Sequence, residues 1–270
     1  SAVNPVLREG NSDRRAPKAV KSYAKKNPHS MGEWKSDSKT HVASMKSGDF
    51  AHNEQSVTLK NETTVCIVHS SHTGQKTILK EGVKLLDKEI FDASLMDVSA
   101  LKIFIKKQIE EAKSSGVLLS LHMKATMMKV SDPIIFGHVI RLFFSDVFEN
   151  YKTEFKQIGV NPNNGYENIL DKLKKLDSQK CSEIKAAFNK ALEDGPDLAM
   201  VNFEKGITNL HVPSDVIIDA SMPAMIRTSG KMYNAKGLKQ DTKAIIPDSS
   251  YASIYTATID FCKKHGAFNP

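Results

Sequence analysis

The stretch Val117-Leu-Leu-Ser-Leu-His-Met123 is the part of this sequence that decides the predicted fold. It is a short, continuous apolar run, which is typical of a strand that is buried on both faces of a sheet. Ser131-Asp132-Pro133 follows and predicts a helix start, because proline is tolerated in the first turn of a helix. Residues 133 to about 158 are apolar on one face, so we predict one long core helix there.

Helices and strands alternate along the chain after residue 95. Helical spacing and short apolar runs predict helices near 99–114, 166–176, 178–193 and 249–265, a further helix after Asp219, and strands at 198–201 and 216–218. Strands that alternate with helices in this way indicate an α/β fold.

The N-terminal third of the chain shows different sequence patterns. A short basic helix is predicted at 18–26, and the polar residues 29–54 are predicted to form a long ordered loop or an excursion over the surface. Residues 56–59, 64–68 and 76–79 alternate between apolar and polar side chains and are separated by turn signals. We therefore expect a small antiparallel β region near residues 55–91.

Composition excludes some classes of protein and leaves others open. The chain has 270 residues, no apolar run of membrane length and three dispersed cysteines, which suits a reducing cytoplasm and gives no reason to expect a membrane partner. The net charge of +7 is spread among acidic residues, as on solvated helix faces. A basic module that binds nucleic acid or another polyanion stays open as an alternative, and a steep salt dependence of binding would favour it.

The first seventeen residues, Ser1 to Pro17, have the composition of an anion-binding segment. Arg8 and Arg14 stand among the small polar residues Ser1 and Asn4, and an arginine fork matches a carboxylate or phosphate with two parallel hydrogen bonds. The segment stands at residue 1 without an initiator methionine. We therefore expect the chain to be a piece of a longer protein.

Lys124 is the first candidate for chemistry. It lies directly after the predicted buried strand, where partial desolvation favours the neutral amine that a general base requires. A lysine whose stem covers the edge of the core is the structural alternative. Lys129 competes for the same role.

Asp219 is the second candidate. We predict that it ends the strand Asp215-Val-Ile-Ile-Asp219, and carboxylates at strand ends often serve catalysis or bind Mg²⁺ or Mn²⁺. Helix N-capping is the structural alternative, and Asp215 is either a second ligand or a surface acid. A metal-dependent hydrolase or lyase that uses Asp219 is thus a further alternative, which metal-dependent activity without a nicotinamide cofactor would favour.

Three long motifs stand out, namely Ser1 to Arg15, His122 to Asp132 and Lys205 to Arg227, and a fourth segment runs from Tyr251 to His265. Together they resemble the monomeric, NADP-dependent isocitrate dehydrogenase family of bacteria. The resemblance covers essentially the whole chain. It implies an α/β fold of the isocitrate/isopropylmalate dehydrogenase type, in which residues 1–17 form a substrate-binding hinge segment and residues 18–270 form part of the large second domain.

The resemblance also implies an activity and individual roles. The family converts isocitrate to 2-oxoglutarate with reduction of NADP, in the citric acid cycle and the glyoxylate bypass, as a cytoplasmic monomer, and neither nucleic acid nor membrane is an expected partner. Mg²⁺ or Mn²⁺ acts as the Lewis acid. The residue roles that are carried over are Ser1, Asn4, Arg8 and Arg14 for the isocitrate carboxylates, Asn4 also for the cofactor, Lys124 for catalysis and Asp219 for the metal. The family's catalytic tyrosine, its other metal aspartates and most of its NADP site are expected outside this chain, so the chain alone is expected to be inactive.

Overall fold

The computed structural model describes residues 17–27, 32–124 and 128–268. The α-helices in these ranges are α1 (Lys18–Lys26), α2 (Phe50–Asn53), α3 (Val98–Ser115), α4 (Ser131–Phe143), α5 (Ser145–Asn150), α6 (Lys152–Gln157), α7 (Tyr166–Leu173), α8 (Ser178–Asp194), α9 (Ile218–Arg227) and α10 (Ser253–His265). The strands are β1 (His41–Ala43), β2 (Gln55–Thr58), β3 (Thr63–Ser70), β4 (Lys76–Leu85), β5 (Ile90–Ala93), β6 (Leu118–Leu121), β7 (Met200–Asn202), β8 (Ile207–Thr208), β9 (Lys231–Tyr233) and β10 (Lys239–Ile245).

A mixed sheet is built around β10. Strands β1 and β6 both pair with β10 in parallel, and β9 pairs with its first three residues in antiparallel register and continues the sheet to β7 and β8. The predicted buried strand is confirmed as β6, in which all four residues are buried. The expectation of one long loop over 29–54 was wrong, because this stretch contains β1, which forms an edge of the sheet.

The sheet separates two hydrophobic cores. Ile245 of β10 packs in the larger core, whereas its neighbours Ala244 and Ile246 pack in the smaller one. Successive side chains of a strand point to opposite faces, so the cores lie on opposite faces of the sheet. Helices α3, α4, α7 and α8 cover one face and α9 and α10 cover the other. This three-layer arrangement confirms the predicted α/β class.

Aromatic rings fill the larger core. Phe144 is fully buried and contacts Phe143, Tyr166 and Phe188, with ring centroids 4.9–5.1 Å apart. The long helix predicted over 133–158 is wrong in its continuity, because the chain breaks at Phe144 and Tyr151 into α4, α5 and α6. Phe144, at the first break, packs in this core, and Tyr151, at the second break, lies against it.

Residues 55–93, which we call the ladder region, form the expected antiparallel β structure. It consists of two separate two-stranded ladders, β2 with β5 and β3 with β4. Almost every residue of β3 and β4 is exposed or half-buried. The two ladders therefore do not share the cores of the main sheet.

Among the described residues, no helix combines the length and the apolar character needed to cross a membrane.

Candidate active site

Lys124 is brought to α9 by an extension of β6. Beyond β6, Met123 accepts a hydrogen bond from the N–H of Ile218 (2.9 Å) and donates its own N–H to the carbonyl of Val216 (2.8 Å). The parallel bridge between Met123 and Ile217 therefore places Lys124 beside the first turn of α9. This long-range pairing builds the site.

Lys124 and Asp219 form an ion pair. The Lys124 ammonium donates to Oδ1 of Asp219 at 2.5 Å and also contacts Oδ2. The lysine side chain is 18% exposed and the aspartate side chain 50% exposed, so the pair lies at the border between core and solvent. Two predicted site residues are thus in direct contact.

The local structure around Asp219 corrects the sequence prediction. The segment Pro213–Val216 is a 3₁₀ turn, and Asp219 lies inside the first turn of α9 instead of at the end of a strand. The N-cap position is Ile217, without a side-chain cap, so the N-capping alternative is also wrong. The physical reason is Pro213, which starts the turn and leaves only residue 217 to bridge to Met123.

Lys124 lines a small pocket that ends against α4 and the turn before α10. The lining side chains are those of His122, Met123, Lys124, Asp132, Ile135, Ile246, Pro247, Asp248 and Tyr251. The Nζ of Lys124 lies 6.0 Å from the centroid of the Tyr251 ring. One ammonium, two carboxyls, one imidazole and one phenol therefore converge on this cavity.

The environment of the pocket changes the protonation of its members. Burial, and then the charge of Asp248, raises the pKa of Asp132 to about 6. Burial lowers the pKa of His122 to about 3, so its imidazole is neutral. The pKa of Tyr251 is raised by burial and by Asp248, and the pKa of Tyr255 by burial and by Asp219; Lys124 opposes both shifts. Such perturbed groups around one lysine are characteristic of acid–base sites.

The other predicted residues lie elsewhere or outside the described ranges. Lys129 is exposed in a turn, which leaves Lys124 as the better placed of the two lysines. Burial and the charge of Glu167 raise the pKa of Asp215, so its acidic neighbour is Glu167. The four substrate-segment residues Ser1, Asn4, Arg8 and Arg14 lie outside the described residues.

Sequence reasoning did not identify Asp132, His122, Asp248 or Tyr251 as site residues. Asp132 was interpreted only as part of a helix start, and His122 was hidden inside an apolar run. The available signal was a polar side chain at a position that the strand and helix patterns bury.

The described residues alone do not fit a divalent-metal site. In the ranges 17–27, 32–124 and 128–268, no group of three or more His, Cys, Asp or Glu side chains is arranged to hold a metal ion. Asp219 offers one half-exposed carboxylate, which here bonds to Lys124. A metal at Asp219 would therefore need further ligands.

The fold and the site define an α/β protein in which a lysine–aspartate pair lies beside a small polar pocket at one end of the sheet. The chain belongs to the monomeric isocitrate dehydrogenase family, whose sequence model matches residues 1–270. It is 59% identical over all 270 residues to an NADP isocitrate dehydrogenase of Corynebacterium glutamicum and 58% identical to one of Corynebacterium efficiens. The matches cover 36% and 37% of those proteins, so the chain spans little more than a third of their length.

A solved structure of another isocitrate dehydrogenase is a distant match. The enzyme of Ostreococcus tauri, in complex with isocitrate and magnesium(II), aligns over 81% of this chain and 40% of its own, with 12% identity and a TM-score of 0.44. This likeness is too low to support an argument about the narrower fold type.

Proposed function

We propose that this chain is the lysine-bearing part of an NADP-dependent isocitrate dehydrogenase that decarboxylates its substrate. The observation that carries the proposal is the Lys124–Asp219 pair, whose lysine lines a pocket together with Asp132 and Tyr251, both of which have raised pKa values. Family membership and relatives named as NADP isocitrate dehydrogenases support it.

Lys124 has the position of a proton carrier. Oxidation of the hydroxyl-bearing carbon of isocitrate removes a hydride, which NADP accepts, and a proton, which a base accepts. The resulting β-keto acid loses carbon dioxide, and the enolate that remains takes up a proton to give 2-oxoglutarate. Lys124 Nζ is the group in the described ranges that we assign to proton movement, and Asp219 orients it.

Other roles complete the proposal. Ser1, Asn4, Arg8 and Arg14 hold the three carboxylates of isocitrate, Asn4 also approaches the nicotinamide, and residues 1–17 form a hinge segment before the part of the large domain in 18–270. Asp219 supplies one ligand to Mg²⁺ or Mn²⁺ together with aspartates from elsewhere in the complete polypeptide. The protein then acts as a cytoplasmic monomer in the citric acid cycle and glyoxylate bypass, without nucleic-acid or membrane partners.

The test uses the complete polypeptide that the gene encodes. Lys124→Met is expected to abolish isocitrate-dependent NADP reduction while isocitrate affinity, measured by calorimetry, stays within about tenfold. Lys129→Met is the matched control, because Lys129 is exposed in the turn that follows, and it is expected to keep normal turnover. Near-normal turnover of Lys124→Met, or a loss with Lys129→Met instead, would remove Lys124 from the mechanism.

A further inference from the structure

Asp49 is a buried acid that the proposed reaction does not use. It is the N-cap residue of α2, is 0% exposed, and lies outside the set of side chains that line the Lys124 pocket. Burial raises the pKa of Asp49, but hydrogen bonds from Ser249 and His52 outweigh this effect and lower the pKa below its ordinary value. A buried carboxylate that stays ionised is costly unless its oxygens are bonded, so its partners show what it does.

The two oxygens of Asp49 bond to two distant parts of the chain. Oδ1 faces α2, where it accepts the N–H of His52 at 3.4 Å and also contacts Nδ1 of the same residue. Oδ2 accepts the N–H of Ser249 at 2.7 Å, across 200 positions of sequence. This distance is at the short end of the range for N–H···O bonds, as expected when the acceptor is charged. The carboxylate therefore joins α2 to the segment that contains Ser249.

Ser249 begins the 3₁₀ turn that carries two members of the Lys124 pocket. Asp248 caps this turn and Tyr251 ends it, and both line the pocket. The centroid of the Tyr251 ring lies 6.0 Å from Nζ of Lys124. The side chain and the carbonyl of Asp248 bond within the turn. Such local bonds give the turn its shape, whereas the bond from Asp49 connects it to another part of the fold.

The segment around Asp49 is itself attached to the main body of the fold. The carbonyl of Gly48 accepts the N–H of Asp97, directly before α3, at 2.7 Å. The carbonyl of Phe50 accepts the hydroxyl of Ser94 at 2.5 Å. Helix α3 packs in the larger core. The carboxylate thus lies between an anchored segment and the turn beside the pocket.

We propose that Asp49 is a positioning residue, whose bond to Ser249 sets the distance of Asp248 and Tyr251 from Lys124. A carboxylate and a phenol that share a pocket with an ammonium act on its charge and its orientation. A shift of the turn therefore changes proton transfer at Lys124. This catalytic consequence rests on the proposed function, whereas the attachment of the turn to α2 does not.

The role is tested with two substitutions in the complete polypeptide. Asp49→Ser keeps an oxygen that can cap α2, but its side chain is shorter and has no second oxygen for Ser249. Asp49→Asn keeps an oxygen at the original length for the Ser249 amide. We expect Asp49→Ser to lower kcat about 10- to 100-fold with KM within about threefold, because small displacements around a catalytic group are costly. Asp49→Asn should keep kcat within about threefold of wild type, because the bond to the turn is retained. A kcat of Asp49→Ser within about threefold of wild type, or an equal loss in both variants, would overturn the role.

Asp177→Ala is the matched control for the loss of a helix cap. Asp177 caps α8, accepts the N–H of Lys180 at 2.8 Å and is exposed. This variant should keep kcat within about twofold of wild type, because a lost cap lowers stability without moving the turn. A loss as large as that of Asp49→Ser would assign the effect to lower stability and overturn the positioning role.

A readout that does not depend on activity separates this proposal from the proposed function. Amide exchange of peptides covering residues 246–252 is followed by mass spectrometry with fragmentation to single residues. Exchange at Ser249 should become at least about tenfold faster in Asp49→Ser and stay unchanged in Asp49→Asn and Asp177→Ala. Unchanged exchange at Ser249 in Asp49→Ser would refute the attachment, whether or not the wild type oxidises isocitrate. Faster exchange together with a wild type that does not oxidise isocitrate would support the attachment and refute the proposed function alone.

Discussion

Strands of the main sheet and of the ladder region both contain large aliphatic residues, but these are buried in β6 and exposed in β4. Leu118 and Leu119 of β6 are at most 1% exposed, whereas Ile78 and Leu79 of β4 are 55% and 65% exposed. An isolated two-stranded ladder is at best marginally stable in water. Apolar residues thus predict a strand in both regions. Whether that strand stabilises the fold depends on the helices and strands that pack against it.

The largest contrast is expected from deleting one large side chain in each region. Phe144→Ala should lower the free energy of unfolding by about 3–5 kcal/mol, because it empties the centre of the aromatic cluster. Leu79→Ala, in the ladder region, should cost about 0.5 kcal/mol or less. Urea denaturation followed by circular dichroism measures both, and similar losses would show that the ladder region shares the cooperative core.

A second contrast uses two glycines that both have positive φ. A Cβ at Gly165 (φ 91°) would lie 2.1 Å from the carbonyl oxygen of His211, whereas a Cβ at Gly74 (φ 81°) would meet nothing within 4 Å. Gly165→Ala should therefore cost about 2–4 kcal/mol and Gly74→Ala only about 1 kcal/mol of backbone strain. Thermal unfolding of the two variants compares them, and a larger loss at Gly74 would reverse the comparison.

The smallest contrast concerns pH. The pKa of His122 is about 3 in the folded protein, against an ordinary value of 6.5. Its contribution to the free energy of unfolding is therefore fully present above pH 6.5 and is lost as pH falls toward 3. The pKa of Asp132 is about 6, so its contribution is present below its unfolded value near 4 and is lost as pH rises through 6. The two slopes oppose each other between about pH 4 and 6.

Single substitutions should separate the two opposing effects of pH on the free energy of unfolding. As pH drops from 6 to 4, the free energy of unfolding of Asp132→Asn should fall more steeply than that of wild type. Over the same range, the free energy of unfolding of His122→Asn should rise relative to wild type. Each difference should be about 1 kcal/mol per pH unit. His69→Asn is the matched change in the ladder region, where the side chain is exposed, and it should not alter the curve. Urea midpoints at several pH values measure this, and parallel curves for all variants would contradict the assignment.

Local patterns predicted most of the helices and the buried strand, but not the centre of the sheet. Strand β10 was missed because Lys239-Gln-Asp-Thr-Lys243 is polar. Its Lys243 is 1% exposed, and its ammonium bonds to Gln108 at 2.9 Å and Glu111 at 2.6 Å. Only partners that are distant in sequence make that lysine compatible with burial, so no local pattern could have identified it.

The same limit applies to the site. Lys124 and Asp219 were each predicted from their surroundings, but their contact depends on the bridge between Met123 and Ile217. Asp132 was visible only as a helix start, because the pocket that it lines is assembled from residues after β6, from α4 and from the turn before α10, which are distant in sequence.

The position of β10 also determines the order in which the chain can fold. The N–H of Lys39 bonds to Asp241 across 202 positions, and β6 pairs with β10 as well. Contacts of such long range form slowly, because a large loop must close first. During synthesis, β1 and β6 therefore remain without their shared neighbour until residues 239–245 have left the ribosome. For that interval the apolar strand β6, which leads to Lys124, is open to wrong pairing and aggregation.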